Sequence, residues 1–263
     1  MTRDPKTSPD SKPDAKNIRP YKNADTCDVA VVGGGIAGSV AAIHLARSGF
    51  KVILFEKERS AGHKVCGEFI SGEALPLLKE IGIEPKKLGA TDITGFRLHG
   101  PRLTIDRKLP LKAVGLSRKC LDEKLLERAE SEGVDVRRGV EVKELIEDLD
   151  SPSGTISLDT AGGEIRALRL VVATGKWDFE TSQRDVRESG YVGFKMHLRL
   201  KPSVLKSVKK HCDLFVFDRG YGGITPIEDD LANFCLLIEK KALAEIGSDW
   251  DSIASHIAKS CWA

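Results

Sequence analysis

The chain has 263 residues, of which 41% are hydrophobic and 30% charged, the composition of a soluble globule with one large or two modest domains. With 41 Lys and Arg against 39 Asp and Glu, the net charge is +2, which gives no electrostatic support for binding nucleic acid or an anionic membrane. Six scattered cysteines form no CxxC pair and no metal-ligand spacing, so we interpret them as reduced thiols of a cytoplasmic protein without a metal site.

The first 24 residues have the composition of a disordered leader. They hold four prolines among Lys, Asp and Ser and almost nothing apolar, so they lack the apolar region of an export signal. Folded structure is therefore expected from about residue 25.

The most informative stretch follows. An apolar run at residues 29–32 meets Gly33-x-Gly35-x-x-Gly38, a helix of small residues runs to Gly49, and a second apolar run ends at Glu56. A strand, a glycine turn and a helix with an acid roughly 20 positions later form the context that a dinucleotide site requires. This pattern predicts a nucleotide-binding βαβ unit.

Each residue type in this unit has a physical role. Gly33 permits the tight turn, Gly35 lets a pyrophosphate approach the backbone, and Gly38 lets helix and strand pack closely. The N–H groups and the positive dipole end of the helix then face the phosphates. Glu56 accepts the hydroxyls of an adenosine ribose and repels a 2′-phosphate, which predicts FAD or NAD rather than NADP.

Two other interpretations of this stretch compete with a nucleotide site. A membrane span is disfavoured because the apolar run is short, interrupted by glycines, and followed by His44 and Arg47. A glycine-rich turn that binds no nucleotide stays open as the simpler alternative.

The order of the next elements distinguishes classes of nucleotide-binding fold. After a loop at 59–71, the pattern predicts a short helix at 71–81, a polar extended stretch to Gly115, and a helix that begins at the N-cap Ser117 and ends at Gly133. Two-domain FAD proteins begin with a βαβ unit and continue with a long insertion, a β-meander and a strand that returns to the first sheet. A short-chain dehydrogenase instead repeats βα units evenly. The predicted later strands are 134–137, 140–148, 155–160, 164–167 and 168–173.

A second domain is expected from about Trp177. Residues 192–200 alternate strictly, with apolar side chains on one face and Lys195, His197 and Arg199 on the other, as in a half-buried strand of an antiparallel sheet. We interpret His197 as a solvated strand residue because no partner for it is visible in the sequence. The further predicted strands are 212–217, 223–227 and 232–238, the last two joined as a hairpin.

Taken together, these residues resemble the FAD-dependent oxidoreductases of the geranylgeranyl reductase type, within the fold group of p-hydroxybenzoate hydroxylase. The resemblance covers about residues 25–245 and implies an α/β protein: a Rossmann-like FAD-binding domain with a β-meander at 25–176, plus an antiparallel-sheet substrate domain at 177–263. The motifs that carry it are the glycine turn with Glu56-Lys57, the KVCGE loop at 64–68, GLSR at 115–118, ATGK at 173–176, VGFKMHLRL at 192–200 and GYGGITPIEDD at 220–230.

The resemblance also implies roles for single residues. Arg118 lies near the FAD phosphates or the flavin entrance, where its permanent charge suits the role, unless it is a solvated first-turn residue. Val142 offers backbone groups to the adenine edge, unless it is only a core residue. The implied cofactor-binding residues are Gly33, Gly35, Gly38, Glu56, Lys57, Arg118, Val142, Thr174 and Gly175.

The loop that contains Lys64, Cys66, Gly67 and Glu68 is implied to lie over the reactive face of the flavin. Cys66 is the candidate catalytic residue, as an acid or a thiolate beside the ring, since a neighbouring lysine favours the thiolate. The alternative is that Cys66 is a small residue packed in a tight loop.

The resemblance implies flavin-mediated chemistry on an apolar small molecule, most directly reduction of an isoprenoid-like alkene. Flavin-dependent oxygenation or halogenation on the same fold is the first alternative, and an inactive nucleotide-binding remnant is the second. FAD is the expected cofactor and NAD(P)H a candidate external reductant, while the electron donor is left open. No transmembrane segment is expected, and peripheral contact with a membrane is compatible with the sequence.

The end of the chain carries one more expectation. Members of the resembled family return to the first sheet with a Gly-Asp motif that opens a helix at the ribityl phosphate, and no such motif follows Ala173. The sequence therefore predicts an incomplete chain that binds FAD poorly and is inactive. The alternatives are a genuinely short protein or a partner chain that restores the sheet.

Overall fold

The computed structural model describes residues 25–100, 102–147, 155–176 and 189–262, and arranges them in two sheets. The leader predicted at residues 1–24 and the domain start predicted at Trp177 lie outside the described residues. In chain order the elements are β1 (Asp25–Val32), α1 (Ile36–Arg47), β2 (Val52–Glu56), β3 (Phe69–Ile70), α2 (Ala74–Glu80), β4 (Thr91–His99), β5 (Thr104–Gly115), α3 (Arg118–Ser131), β6 (Asp135–Arg138), β7 (Val142–Glu147), β8 (Ile156–Thr160), β9 (Gly163–Val172), β10 (Tyr191–Arg199), α4 (Pro202–Val208), β11 (His211–Phe217), β12 (Gly220–Pro226), β13 (Leu231–Glu239), α5 (Lys240–Ile246) and α6 (Trp250–Trp262).

The first sheet has the strand order β6-β2-β1-β9-β8-β7, and its first four strands are parallel. The continuous apolar runs of β1 and β2 are explained by burial on both faces of the sheet, as is usual for parallel strands. On one face, Val31 and Leu54 pack with Ile43 of α1 and Leu125 of α3. On the other face, Ala30, Phe55 and Leu158 belong to a separate core beneath β7 and β8.

The return strand of this sheet differs from the sequence expectation. Two segments were predicted, at 164–167 and at 168–173, but the structure joins them in the single strand β9. No Gly, Pro or other turn residue separates Ala167 from Leu168, so the chain has no reason to break there. The first half of β9 pairs antiparallel with β8, and the strand pairs parallel with β1 from Ile165 to Val172.

The second sheet has the order β10-β13-β12-β11-β4-β5-β3. All of its neighbours are antiparallel except β11 and β4, which run parallel. Three of these strands, β3 to β5, come from within residues 25–176, so the two sheets alternate along the chain. The polar extended stretch predicted before Gly115 is the β4–β5 pair.

One face of the second sheet is covered by helices. Phe215, Leu236 and Ile238 form a core with Ile253 and Ile257 of α6. The Trp250 ring packs edge-on against Phe194 of β10. The opposite face therefore carries Lys195 and His197, which alternate with Phe194 along β10. In the described part of the chain, no helix is long and apolar enough to cross a membrane.

The N-cap predicted for α3 is confirmed: the Ser117 hydroxyl accepts a hydrogen bond of 3.1 Å from the Cys120 N–H. Replacing Ser117 by alanine is expected to lower the free energy of unfolding by about 1 kcal/mol, because the Cys120 N–H in the first turn of the helix loses its acceptor. Ser131→Ala, at the exposed far end of the same helix, is the control and should change the stability little. Equal effects of the two substitutions in urea denaturation would contradict the capping role.

Candidate functional site

The glycine turn joins the carboxyl end of β1 to α1. Gly33 has a φ of +108°, and a Cβ on it would collide with the Ala173 carbonyl oxygen. A Cβ on Gly38 would collide with the carbonyl oxygen of Gly33. Both positions therefore require glycine, for the turn and for close packing of helix and strand. A Cβ on Gly35 would meet only the Arg118 guanidinium, at 3.8 Å, so this side of the turn is open.

Donors and an acceptor converge at this turn. Gly35 is the N-cap of α1, and no side chain among the described residues caps it, so the first amide groups of the helix are available to a ligand. Glu56 ends the neighbouring parallel strand, and its Oε2 accepts a hydrogen bond of 2.8 Å from the Gly34 N–H. Its Oε1 accepts another, of 2.9 Å, from the Glu58 N–H. The carboxylate is thus held at the mouth of the turn.

Arg118 connects the glycine turn to the KVCGE loop. Its guanidinium makes two hydrogen bonds of 2.8 Å to the Asp122 carboxylate, and its side chain is 21% exposed. Burial lowers the pKa of Arg118, but the hydrogen bonds and charges of Asp122 and Cys66 outweigh it and raise this pKa above the ordinary arginine value. The alternative of a solvated first-turn residue is therefore wrong. The charge lies between the open side of Gly35 and Cys66.

Glu68 is the centre of the KVCGE loop. Its side chain is fully buried, and its backbone has a φ of +55°. Its Oε1 accepts a hydrogen bond of 2.8 Å from the Arg118 N–H and forms an ion pair with the Lys195 ammonium. Its Oε2 lies 2.7 Å from His197 Nε2. One carboxylate thus joins the start of α3 to β10.

The interpretation of His197 as a solvated residue was wrong. Its side chain is 17% exposed, and its partner Glu68 lies 129 positions earlier in the chain. The alternation of β10 did identify its polar face, but the KVCGE loop covers that face. Lys195, His197 and Asn233 belong to the candidate site but were not predicted from the sequence, because only the fold brings them to the loop.

The rest of the loop lies on β10 and β13. The Cys66 carbonyl accepts a hydrogen bond of 2.9 Å from the buried Asn233 side chain, and Cys66 Sγ accepts one of 3.4 Å from the Glu68 N–H. A Cβ on Gly193 would meet Val65 at 2.9 Å, so the loop also touches β10 there. Cys66 is half-buried and faces an N–H and a guanidinium, as a reactive sulfur requires.

An apolar surface adjoins the loop on the same face of the second sheet. The strand register places Leu214, Gly223, Cys235 and Lys195 side by side across β11, β12, β13 and β10. Leu214, Val216 and Tyr221 are 37%, 49% and 54% exposed. Exposed aliphatic and aromatic side chains beside polar groups are the usual composition of a small-molecule site.

The comparisons with known proteins decide the family. The FAD binding domain family matches residues 26–210. The chain belongs to this family. This FAD-binding chain is 34% identical over 165 residues to the flavin-dependent halogenase armH1 of Armillaria mellea, and 32% identical over 158 residues to the digeranylgeranylglycerophospholipid reductase of Methanosarcina acetivorans. Each match covers 57% of this chain, and 31% and 38% of the respective relative. The chain thus spans about a third of the length of these two relatives.

A solved structure shows the same fold. The myxobacterial chondrochloren halogenase CndH matches with a TM-score of 0.73 and 21% identity, over 90% of this chain and 58% of that one. The predicted fold class, the cofactor FAD and the assignment to the FAD-dependent oxidoreductases are therefore confirmed. The narrower geranylgeranyl reductase type is not decided, because halogenases and reductases are both among the relatives.

The residues at the glycine turn fit FAD. The amide groups at the start of α1 and the Arg118 guanidinium suit a pyrophosphate, and the Glu56 carboxylate suits ribose hydroxyls. Thr174 and Gly175 follow β9 at the same edge, where the Ala173 N–H donates to the Val32 carbonyl at 2.8 Å. These cofactor contacts of single residues stay predictions.

The structure shows the surroundings of two predicted cofactor residues, Val142 and Lys57. The Val142 side chain is buried in the core with Phe55 and pairs across the strands with Thr160, so only its backbone is open to the predicted adenine contact. Lys57 is exposed directly after Glu56. Lys64 and Gly67 are exposed in the loop, next to the half-buried Cys66.

A second histidine, His63, also lies at this site. The His63 ring meets the His197 ring edge-on, with 4.7 Å between the centroids. Within the described residues, His63, His197 and Glu68 offer ligand atoms within 4.8 Å of one another. Lys195 already occupies the same carboxylate, and a nearby ammonium opposes a bound cation. We therefore interpret the group as a cluster of hydrogen-bonding side chains and not as a metal site.

Protonation of His63 is expected to be difficult. Burial lowers the pKa of His63, and the charges of His197 and Lys195 lower it further. Its pKa should lie below the unfolded value of about 6.5, so the unfolded state binds more protons near that pH and stability falls as the pH drops through it. NMR titration of the His63 ring, assigned with the His63→Gln variant, checks this. A midpoint above about 6.5 would contradict the geometry.

Proposed function

We propose that this FAD-dependent oxidoreductase reduces a carbon–carbon double bond of an apolar, isoprenoid-like molecule at the face of the second sheet. The observation that carries the proposal is the position of Cys66 and the Glu68–His197 pair beside exposed Leu214, Val216 and Tyr221. Reducing an alkene needs a hydride at one carbon and a proton at the other. Bound FAD, once reduced, supplies the hydride.

The chain itself supplies the proton and the surroundings. Cys66 is the proposed proton donor, because its sulfur is half-buried and the loop backbone holds it in place. Glu68 fixes that loop through Arg118 N–H, Lys195 and His197. An apolar substrate on the sheet face excludes water from the reacting carbons, which strengthens every polar interaction around them.

The second candidate is flavin-dependent halogenation or oxygenation of an apolar or aromatic molecule. Its support is that one relative is named a flavin-dependent halogenase and matches as well as the reductase does. The same apolar face would hold the acceptor. A remnant without activity is the weakest alternative, because the glycine turn, Glu56 and the buried Glu68 pair are all in place.

One experiment separates these functions. The purified protein is loaded with FAD, reduced without oxygen and offered isoprenoid alkenes; a second sample receives oxygen, a halide and aromatic acceptors. Saturated product in the first sample supports the proposal, and halogenated or hydroxylated product in the second supports the alternative. Cys66→Ser should slow alkene reduction by about 100-fold, a typical contribution of a general acid, while Cys120→Ser should not. Unchanged reduction by Cys66→Ser would remove the thiol from the mechanism.

The same proposal includes the substrate, the external reductant and the location of the protein. An apolar small molecule is the proposed substrate partner, and NAD(P)H is the proposed external reductant. A cytoplasmic location, with peripheral contact to a membrane that stores the substrate, fits the cysteines that are free among the described residues. Assaying FAD reduction with NADH and with NADPH would identify the reductant.

A further inference from the structure

Cys66 and Cys235 come from distant parts of the chain and meet beneath the KVCGE loop. Cys235 lies on β13 directly opposite Lys195, on the face that the loop covers. Two residues earlier on the same face, Asn233 holds the Cys66 carbonyl at 2.9 Å. The Cys66 backbone lies close enough to the Cys235 sulfur to act on its pKa. Both thiols are free and half-buried, so a small oxidant has access to them.

The two sulfurs have different surroundings. Cys66 Sγ faces the Glu68 N–H at 3.4 Å and the Arg118 guanidinium, both of which stabilise negative charge on sulfur. Burial raises the pKa of Cys235, and the neighbouring Cys66 raises it further. A sulfur that faces an N–H and a guanidinium, with a second thiol beside it, is the arrangement of an attacking and a resolving cysteine.

We propose that Cys66 and Cys235 form a reversible disulfide when the protein meets a hydroperoxide such as hydrogen peroxide. This modification is independent of whether the protein reduces, oxygenates or halogenates its substrate. The Asn233 contact to Cys66 and the position of Cys235 two residues further along the same face of β13 bring the two cysteines together.

The chemistry balances in two steps. The Cys66 thiolate attacks one peroxide oxygen, the O–O bond breaks, and a sulfenic acid forms while the departing hydroxide takes a proton and becomes water. The Cys235 sulfur then attacks the sulfenic sulfur of Cys66. The S–S bond forms, the S–O bond breaks, and a second water leaves with the thiol proton. Two thiols lose two electrons, and the peroxide gains them.

The disulfide would fix the loop to β13 and remove the Cys66 thiol from the site. A thiol reductant reverses it, so the modification acts as a switch on the face of the second sheet. Because the bond joins a loop near residue 66 to a strand near residue 235, it closes a long loop of chain, which stabilises the folded state.

The test is a peptide map of the purified protein after treatment with hydrogen peroxide. Trypsin releases Cys66 in residues 65–79 and Cys235 in residues 220–240, each as the single cysteine of its peptide. After alkylation of the free thiols, non-reducing mass spectrometry should find these two peptides joined, and dithiothreitol should separate them. Cys120→Ser is the matched control and should give the same joined pair.

Cys235→Ser gives a second measurement that does not depend on altering the loop. Without its resolving partner, Cys66 should remain a sulfenic acid and react with dimedone about tenfold more than in the unaltered protein. Absence of the joined peptides, together with equal dimedone labelling in both proteins, would overturn the proposal. Joining of Cys66 to a different cysteine would overturn it as well.

Discussion

Replacing Glu68 by glutamine is expected to lower the free energy of unfolding by about 3–5 kcal/mol, because it leaves the buried Lys195 ammonium without its anion. The Lys195 side chain is only 6% exposed, and Glu68 is its ion-pair partner. Glutamine keeps the size of the side chain and one acceptor oxygen. The loss of stability therefore reports the removal of the negative charge and not the creation of a cavity. Urea denaturation followed by circular dichroism gives the free energy.

Two further variants make this result specific. Glu80→Gln removes an exposed carboxylate one helix away and should change the stability by less than about 0.5 kcal/mol. Adding Lys195→Met to Glu68→Gln removes the uncompensated cation and should recover part of the loss, since replacing a whole buried pair costs far less than breaking it. A loss below about 1 kcal/mol for Glu68→Gln, within the range of an exposed ion pair, would contradict the buried ion pair.

The nucleotide-binding unit could be predicted because its signals are local. The apolar runs at 29–32 and 52–55 fall within β1 and β2, and the glycine spacing falls at the turn. Ser117 is followed within three residues by the N–H that it caps. Each of these features is determined by residues a few positions apart, where period and turn chemistry are readable in the sequence.

The assembly of the second sheet could not be predicted in the same way. β4 pairs parallel with β11, and His211 stands opposite Gly95, more than a hundred positions away. The stretch before Gly115 has the polarity of an extended segment, but nothing in its pattern identifies its partner strand. Register between distant strands depends on which faces are buried in the finished fold.

The centre of the site shows the same limit. Glu68 and Cys66 were identified in the loop, and the polar face of β10 was recognised from its alternation. The ion pair from Glu68 to Lys195 spans 127 positions, so neither residue alone indicates that the other neutralises it. In the sequence, Glu68 stands in a glycine-containing loop and Lys195 stands on the polar face of a strand, and both positions suggest contact with solvent. The two side chains are buried only because the loop packs on β10 and β13.

Replacing Glu56 by arginine is expected to weaken FAD binding by about 100-fold or more, which corresponds to about 2.7 kcal/mol. The substitution removes the carboxylate that the Gly34 and Glu58 N–H groups hold at the glycine turn. It places a cation where ribose hydroxyls need an acceptor, and it leaves two amide groups without their partner. Titration of the purified protein with FAD, followed by quenching of flavin fluorescence, gives the dissociation constant.

The matched control for this prediction is Glu58→Arg, which makes the same charge reversal two positions along the chain, on an exposed side chain. It leaves the Glu56 carboxylate in place, so it should change the dissociation constant by less than about threefold. Glu56→Gln keeps one acceptor oxygen without the charge and should fall between the two, at about tenfold weaker binding. Circular dichroism shows whether each variant is folded. Equal losses for Glu56→Arg and Glu58→Arg would mean that net charge, rather than a carboxylate at the end of β2, governs the affinity for FAD.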